Sequence, residues 1–138
     1  MQEYYSKIAI DMWTFRCYVS EQESVDFIDE WYAGLPDEVQ GEVDATLEIL
    51  RIIPRRYWRM PLYRDLRNWD DLHAIRIKSG EDHYRIVGFF GPDAENEFTL
   101  LVPFKKDDDP DYIASCTEAQ MRMTTVLANP GSSHECFD

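Results

Sequence analysis

Between Leu72 and Lys105 the chain passes through three apolar, β-branched and aromatic segments separated by only two short turn clusters. Leu72–Lys78 reads as a strand, and Ser79-Gly80-Glu81-Asp82 as the turn after it. His83–Phe90 reads as a second strand and Gly91–Glu95, with Gly-Pro-Asp inside it, as a second turn. Glu97–Lys105 is the third. Turns this short can join only antiparallel neighbours, so this block forces a three-stranded meander on whatever else the chain builds.

The segments before it supply helices. Trp13–Val19 is a strand-like run, followed by Ser20-Glu21-Gln22-Glu23, which matches a capping box at a helix start. Val25, Ile28, Tyr32 and Leu35 then recur at helical spacing. Gly34 and Pro36 break the pattern before a second helix, whose stripe is Val39, Val43, Leu47, Leu50 and Ile53, and Pro54 stops it. Residues 54–71 read as a long ordered loop. Pro103, inside the last strand of the meander, lacks a ladder donor and predicts a bulge or a free edge. Asp109-Pro110 predicts a capped helix with Ile113, Cys116, Ala119, Met123 and Val126 buried. The expected order is β-α-α-β-β-β-α, an α+β domain with helices packed on one antiparallel sheet. It spans residues 13–128, between an N-terminal extension (1–12) and a tail (129–138) expected to be disordered.

No apolar run is long enough for a membrane span, and the acidic N-terminus does not read as a secretory signal. Three widely spaced cysteines, Cys17, Cys116 and Cys136, predict reduced thiols and a cytoplasmic protein without a zinc cluster. No cofactor is expected, since there is neither a ligand cluster nor a glycine-rich phosphate loop. The formal net charge is −13, yet it is unevenly spread. Residues 51–90 carry nine basic residues against five acids, while the flanking segments are strongly acidic. Within that basic middle, six arginines lie between Arg51 and Arg67, interleaved with Tyr57, Trp58 and Tyr63 and followed by Trp69. Cations among aromatic platforms suit single-stranded RNA, with Arg55, Arg56, Arg59, Arg64 and Arg67 as binding candidates. They suit equally a loop pinned by arginine–carboxylate pairs. Along a strand of period two, Arg76 and Lys78 share one face, opposite Ile75 and Ile77.

Leu66–Phe90 (LRNWDDLHAIRIKSGEDHYRIVGFF) resembles the central hairpin of the RelE/HigB toxin superfamily, with phage-derived HigB-like proteins as the closest subgroup. Leu100–Lys106 (LLVPFKK) resembles that family's last strand, and Pro110–Met123 its closing helix. The resemblance implies a microbial-RNase-like fold and a metal-independent endoribonuclease that cuts mRNA on the ribosome. It also implies a cognate antitoxin partner, often a helix-turn-helix (HigA-like) protein. By position it assigns Arg85 and Lys106 to phosphate charge, Arg76 and Lys78 to substrate positioning or proton transfer, and Tyr112 to stacking or proton transfer. Lys105 joins the RNA-binding set, and His73 and His83 are titratable near neutrality.

Each assignment has a plainer counterpart. Arg76 and Lys78 would sit equally well on a solvated sheet face. Arg85 would serve as an ion-pair partner among so many acids, and Tyr112 and the histidines as packing groups. Asp107-Asp108-Asp109 directly follows the lysine pair, and acid there opposes a phosphate. The competing functions are therefore an active nuclease, a catalytically weak protein-binding module on the same fold, and an acidic mimic of nucleic acid.

Overall fold

The computed structural model describes residues 12–107 and 109–136, and for residues 109–111 the backbone only. The N-terminal extension up to residue 11, Asp108 of the acidic triplet and the capping side chain of Asp109 lie outside these.

Six strands and three helices form a mixed α+β domain. In chain order these are β1 (Thr14–Tyr18), α1 (Phe27–Ala33), α2 (Asp37–Arg51), β2 (Tyr63–Asp65), β3 (His73–Ser79), β4 (Asp82–Phe90), β5 (Glu97–Lys105), α3 (Asp109–Ala128) and β6 (Ser133–Glu135). The single sheet runs β2-β3-β4-β5-β1-β6. The expected meander is its centre, with antiparallel pairing from His73↔Gly88 to Ser79↔Asp82 and from Tyr84↔Lys105 to Phe90↔Phe98.

The expected order and geometry need three corrections. β2 lies inside the segment read as loop and pairs with β3, and β6 lies in the tail expected to be disordered and pairs with β1. Three-residue strands are too short to show a period, so only their partners define them. The sheet is mixed, since β1 inserts parallel to β5, Thr14 against Glu97 through Cys17 against Leu100. Finally, the helices occupy both faces. Val39, Val43, Leu47 and Leu50 of α2 pack with Ile75, Ile77, Ile86, Phe98 and Leu100, whereas Cys116, Ala119 and Val126 of α3 pack with Ala74, Val87, Phe89 and Leu101. A sheet covered on both sides explains why β4 is buried from Tyr84 to Phe90 instead of alternating.

Local chemistry accounts for the element ends. The Ser20 hydroxyl does accept from the Glu23 amide, but it closes a turn bridged by Ser20 and Val25. Helix α1 starts later, capped by Asp26, whose carboxylate accepts from the Asp29 amide. Helix α2 carries Asp37 and Glu38 in its first turn and Arg51 in its last, both favourable to its dipole. Ile113, expected in the buried stripe of α3, is 59% exposed, while its neighbour Tyr112 packs on Phe104 of β5. A register shift falls between Val87 and Gly88. Glycine is required there, since a Cβ would lie 2.3 Å from the Thr99 carbonyl oxygen and 2.5 Å from the Phe98 ring. Pro103 lies beyond the pairing of β1, which stops at Leu100.

The thiol expectation is also corrected. Cys17 of β1 and Cys136, just past β6, form a disulfide across 119 positions, and only Cys116 is free and buried among the described residues. The Cys136 amide donates to the Phe15 carbonyl and Arg16 Nη2 to that of Ser133, so backbone pairing brings the two sulfurs together. Their distance in sequence hid this. Denatured but unreduced protein should therefore show one reactive thiol of three. Cys136→Ser should cost about 2–4 kcal/mol in chemical denaturation, the range for closing a long loop. Three thiols and an unchanged midpoint would show that the bridge does not form in solution.

Candidate functional site

The β3–β4 pairing sets Arg76 directly opposite Arg85, between the apolar pairs Ile75↔Ile86 and Ile77↔Tyr84. The isoleucines face α2, so the two arginines face the side of α3. Arg64 of β2 is opposite Ala74 and therefore on that same face. Tyr112, in the first turns of α3, completes the group, its ring 5.4 Å from that of Phe104. Like charges directly opposite on a sheet are destabilising, so the fold tolerates this arrangement at a cost.

Arg85 is the most enclosed member, only 5% exposed. Its Nη1 donates to the carbonyl of Tyr84. Burial lowers its pKa first, followed by the positive charges of Arg76 and Arg64, while Tyr112 opposes them. The Tyr112 hydroxyl is buried and makes no hydrogen bond. Burial raises its pKa, with Cys116 adding to the rise and the three arginines acting against it. Tyr112 is thus a protonated donor at neutral pH, without an acceptor among the described residues. Among the described residues, none of Arg64, Arg76 and Arg85 has a carboxylate within ion-pair distance. Arg16, Arg51, Lys105 and Arg122 do have one. In a chain of 27 acids, three adjoining arginines without an ion pair among the described residues form a site suited to an external anion.

A cleft of about 250 Å³ opens beside them, lined by Arg76, Lys78, His83 and Arg85 from the sheet, by Pro61, and by Glu42 and Thr46 of α2. Its chemistry is mixed. It has fixed cations for a phosphate, an exposed imidazole in His83 and a carboxylate in Glu42 for moving a proton, and a phenol nearby. Glu42 had no sequence signal, since it lies on the polar side of the α2 stripe. Arg76 is held from the other side by Met60, whose sulfur is 2.7 Å from Nη1.

The fold thus joins Arg64, Arg76, Lys78, Arg85 and Tyr112, and separates other candidates from them. Lys105 falls on the opposite face and pairs with Asp82 at 3.5 Å. Lys106 is half-buried just past β5, its amide bonded to the His83 carbonyl, which brings it to the same end of the sheet. Arg67 lines a neighbouring cavity with Arg64 and Tyr112. Arg55 lies over the Phe90 ring at 4.0 Å and Arg56 over Tyr57 at 4.8 Å. Arg59 is exposed. Trp58, read as a stacking platform, is a core residue that donates its indole N–H to the Leu50 carbonyl. Tyr63 is tied to His73 through a 2.6 Å hydrogen bond to Nδ1, and Asp65 stands 3.3 Å from the same nitrogen. His73 is buried, as its plainer reading expected.

Two predictions follow from burial. Arg85→Met removes an enclosed, unpaired charge next to Arg76, and should raise stability by about 1 kcal/mol, or roughly 2–4 °C in Tm. A loss of stability instead would mean that Arg85 has a hidden anionic partner. For His73, burial lowers the pKa below its ordinary 6.5, with Asp65 acting against the shift. Below that value the unfolded chain binds more protons than the fold. The stabilisation is therefore complete above pH 6.5 and lost as pH falls toward the folded pKa. Unfolding midpoints should drop between pH 7 and pH 5, and His73→Phe should flatten that slope.

A family model described as phage-derived protein Gp49-like (DUF891) matches residues 30–124. The match runs from within α1 to within α3 and includes every residue of the arginine–tyrosine group. No curated protein and no solved structure matches the chain.

Proposed function

Since the chain belongs to the Gp49-like phage-derived family, whose clan is that of the RelE/HigB-like toxins, we propose that it is the toxin of a toxin–antitoxin pair. Its activity in this reading is metal-independent cleavage of mRNA, acting on ribosome-bound message in the cytoplasm. The observation that supports this best is the set of three adjoining arginines, Arg64, Arg76 and Arg85, without carboxylate partners among the described residues and next to the hydroxyl of Tyr112, which has no hydrogen bond there either.

In this reading the arginines hold the scissile phosphate and stabilise the extra negative charge of its pentacovalent state. Lys106 adds charge at the same end of the sheet. Removal of the 2′-OH proton falls to His83, Glu42 or Lys78, which line the cleft. Tyr112 protonates the departing 5′-oxygen, a role open to a phenol that is protonated at neutral pH. The 2′-oxygen forms the new bond to phosphorus as the 5′-oxygen leaves, so the products are a 2′,3′-cyclic phosphate and a 5′-hydroxyl. An antitoxin, helix-turn-helix in type, would silence the protein by covering this cleft. A second reading is favoured by the acidic balance of the chain: a catalytically weak member whose surface serves protein binding.

Cleavage of a reporter mRNA in a purified translation system separates the two. Wild-type protein should cut in a ribosome-dependent manner, and equally well after it has been stripped of bound metal and returned to the Mg²⁺-containing system. Arg85→Ala should lower the rate at least 100-fold with the fold intact. Absence of cleavage by well-folded wild-type protein would leave the binding-module reading. Cleavage lost on stripping the protein of bound metal, and restored by adding back one particular divalent ion, would overturn metal independence.

A further inference from the structure

A cavity of about 430 Å³ lies between the β2–β3 loop and the start of α3. Its size is within the roughly 300–1,000 Å³ range of small-ligand pockets. Arg64 and Tyr112, both of the arginine–tyrosine group, form one wall, and Asp65, Arg67, Asn68, Trp69 and Ile113 are among the residues that line the rest.

The loop is a stiff platform. Leu66 and Leu72 anchor its two ends in the core, at 8% and 0% exposure. Between them the Trp69 amide donates to the Leu66 carbonyl, the Leu72 amide to that of Trp69, and the Leu66 amide to that of Leu72, at 3.0–3.2 Å. Asp71 holds a positive φ of 64°, a conformation that a non-glycine residue keeps only when its surroundings fix it. The Trp69 ring packs against the core cluster under α3 and also lines the cavity. Trp13 and Trp58 donate their indole N–H groups to the Ile53 and Leu50 carbonyls. Trp69 makes no such bond among the described residues, and neither does the exposed amide of Asn68. Arg64 and Arg67 have no carboxylate at ion-pair distance there either. A ring packed on the core, an exposed carboxamide and two guanidinium groups without an ion pair among the described residues offer what a nucleotide requires: a stacking surface, an edge reader and phosphate donors.

We propose that this cavity binds the base of the nucleotide next to the cleaved phosphate, with Trp69 stacking on it, Asn68 reading its edge, and Arg64 and Arg67 holding its backbone. The proposal rests on the RNA-cleaving reading for the position of the scissile phosphate, but base binding is measurable without cleavage. The probes are the four homotrinucleotides with 2′-O-methyl groups, which cannot undergo 2′-OH attack. They are titrated against the full chain while the indole N–H resonances are followed by NMR. In parallel, cleavage sites on one mRNA are mapped for wild type and Asn68→Ala.

The Trp69 resonance should shift while those of Trp13 and Trp58 stay, and one trinucleotide should bind at least fivefold more tightly than the weakest. Asn68→Ala should bring the four affinities within twofold and widen the set of cut sites. Trp69→Ala should weaken binding about tenfold, and Trp69→Phe, which keeps a ring on the core, should recover part of it. Cleavage by wild type with an unmoved Trp69 and an unchanged site map in Asn68→Ala overturns the pocket and leaves the nuclease standing. A selective Trp69 shift in a protein that cuts no RNA keeps the pocket and removes the nuclease. Equal binding of all four sequences overturns base recognition in favour of a sequence-neutral stacking surface. Neither binding nor cleavage overturns both.

Discussion

The register of β3 against β4 is the constraint on which the site depends. Ile75↔Ile86 and Ile77↔Tyr84 flank Arg76↔Arg85, so the apolar pairs that fix the pairing also decide where the arginines point. A slip of β3 by one residue would drive Arg76 and Lys78 into the core under α2 and turn Ile75 and Ile77 to the other side. Burial of those isoleucines, at 0% and 1% exposure, is worth about 2–3 kcal/mol apiece. That exceeds the fraction of a kcal/mol or so lost by opposing like charges across a ladder. The core thus imposes the juxtaposition of cations that electrostatics alone would avoid.

The mixed sheet then sets what surrounds them. Because β1 enters beside β5 and not beside β3, the β3 side of the sheet carries only the three-residue strand β2. Pairing of β3 beyond Arg76 is left open to a cleft on that side. On the far side, β6 and its disulfide complete the edge next to β1. Among the described residues, three acid–cation pairs use no residue of the cleft lining: Glu97 with Arg16, Glu48 with Arg51, Glu118 with Arg122. Arg122 also lies over Phe27 at 4.4 Å and donates to the Leu101 carbonyl, a structural task that accounts for the lone cation of α3.

What could be read in the sequence follows the range of the interactions concerned. The three central strands and α2 carry their own period and punctuation, and their bounds came within a residue or two of the turns and prolines that end them. The β1–β5 pairing, β6 and the Cys17–Cys136 bridge depend on contacts across some 80 to 120 positions, and no local pattern announces them. The same holds at the site. Arg76 and Arg85 were legible from strand parity together with the family resemblance. The run of arginines from 55 to 67 was not divisible by inspection, because whether each reaches the cleft depends on the path of a loop. Trp58 went to the core and Trp69 to a cavity wall from neighbourhoods of similar composition. Lys105 and Lys106 show how sharply parity acts: Lys105 turns to a surface pair with Asp82, while Lys106 sits beside the strand that starts at the cleft.

A positive pocket set in a body of net charge −13 has a consequence for the way a polyanion reaches it. Far from the surface an RNA strand meets the field of the whole chain, which repels; within a few ångströms it meets the arginines, which attract. At physiological ionic strength the screening length is about 8 Å, so added salt first weakens the repulsion and only later the contact itself. Capture would then be fastest at intermediate ionic strength, and loose, unthreaded encounters along the acidic flanks would be rare. In the RNA-cleaving reading proposed above, the acidic body would work as a filter on approach, admitting RNA that is already presented at the cleft and turning away RNA that merely drifts past.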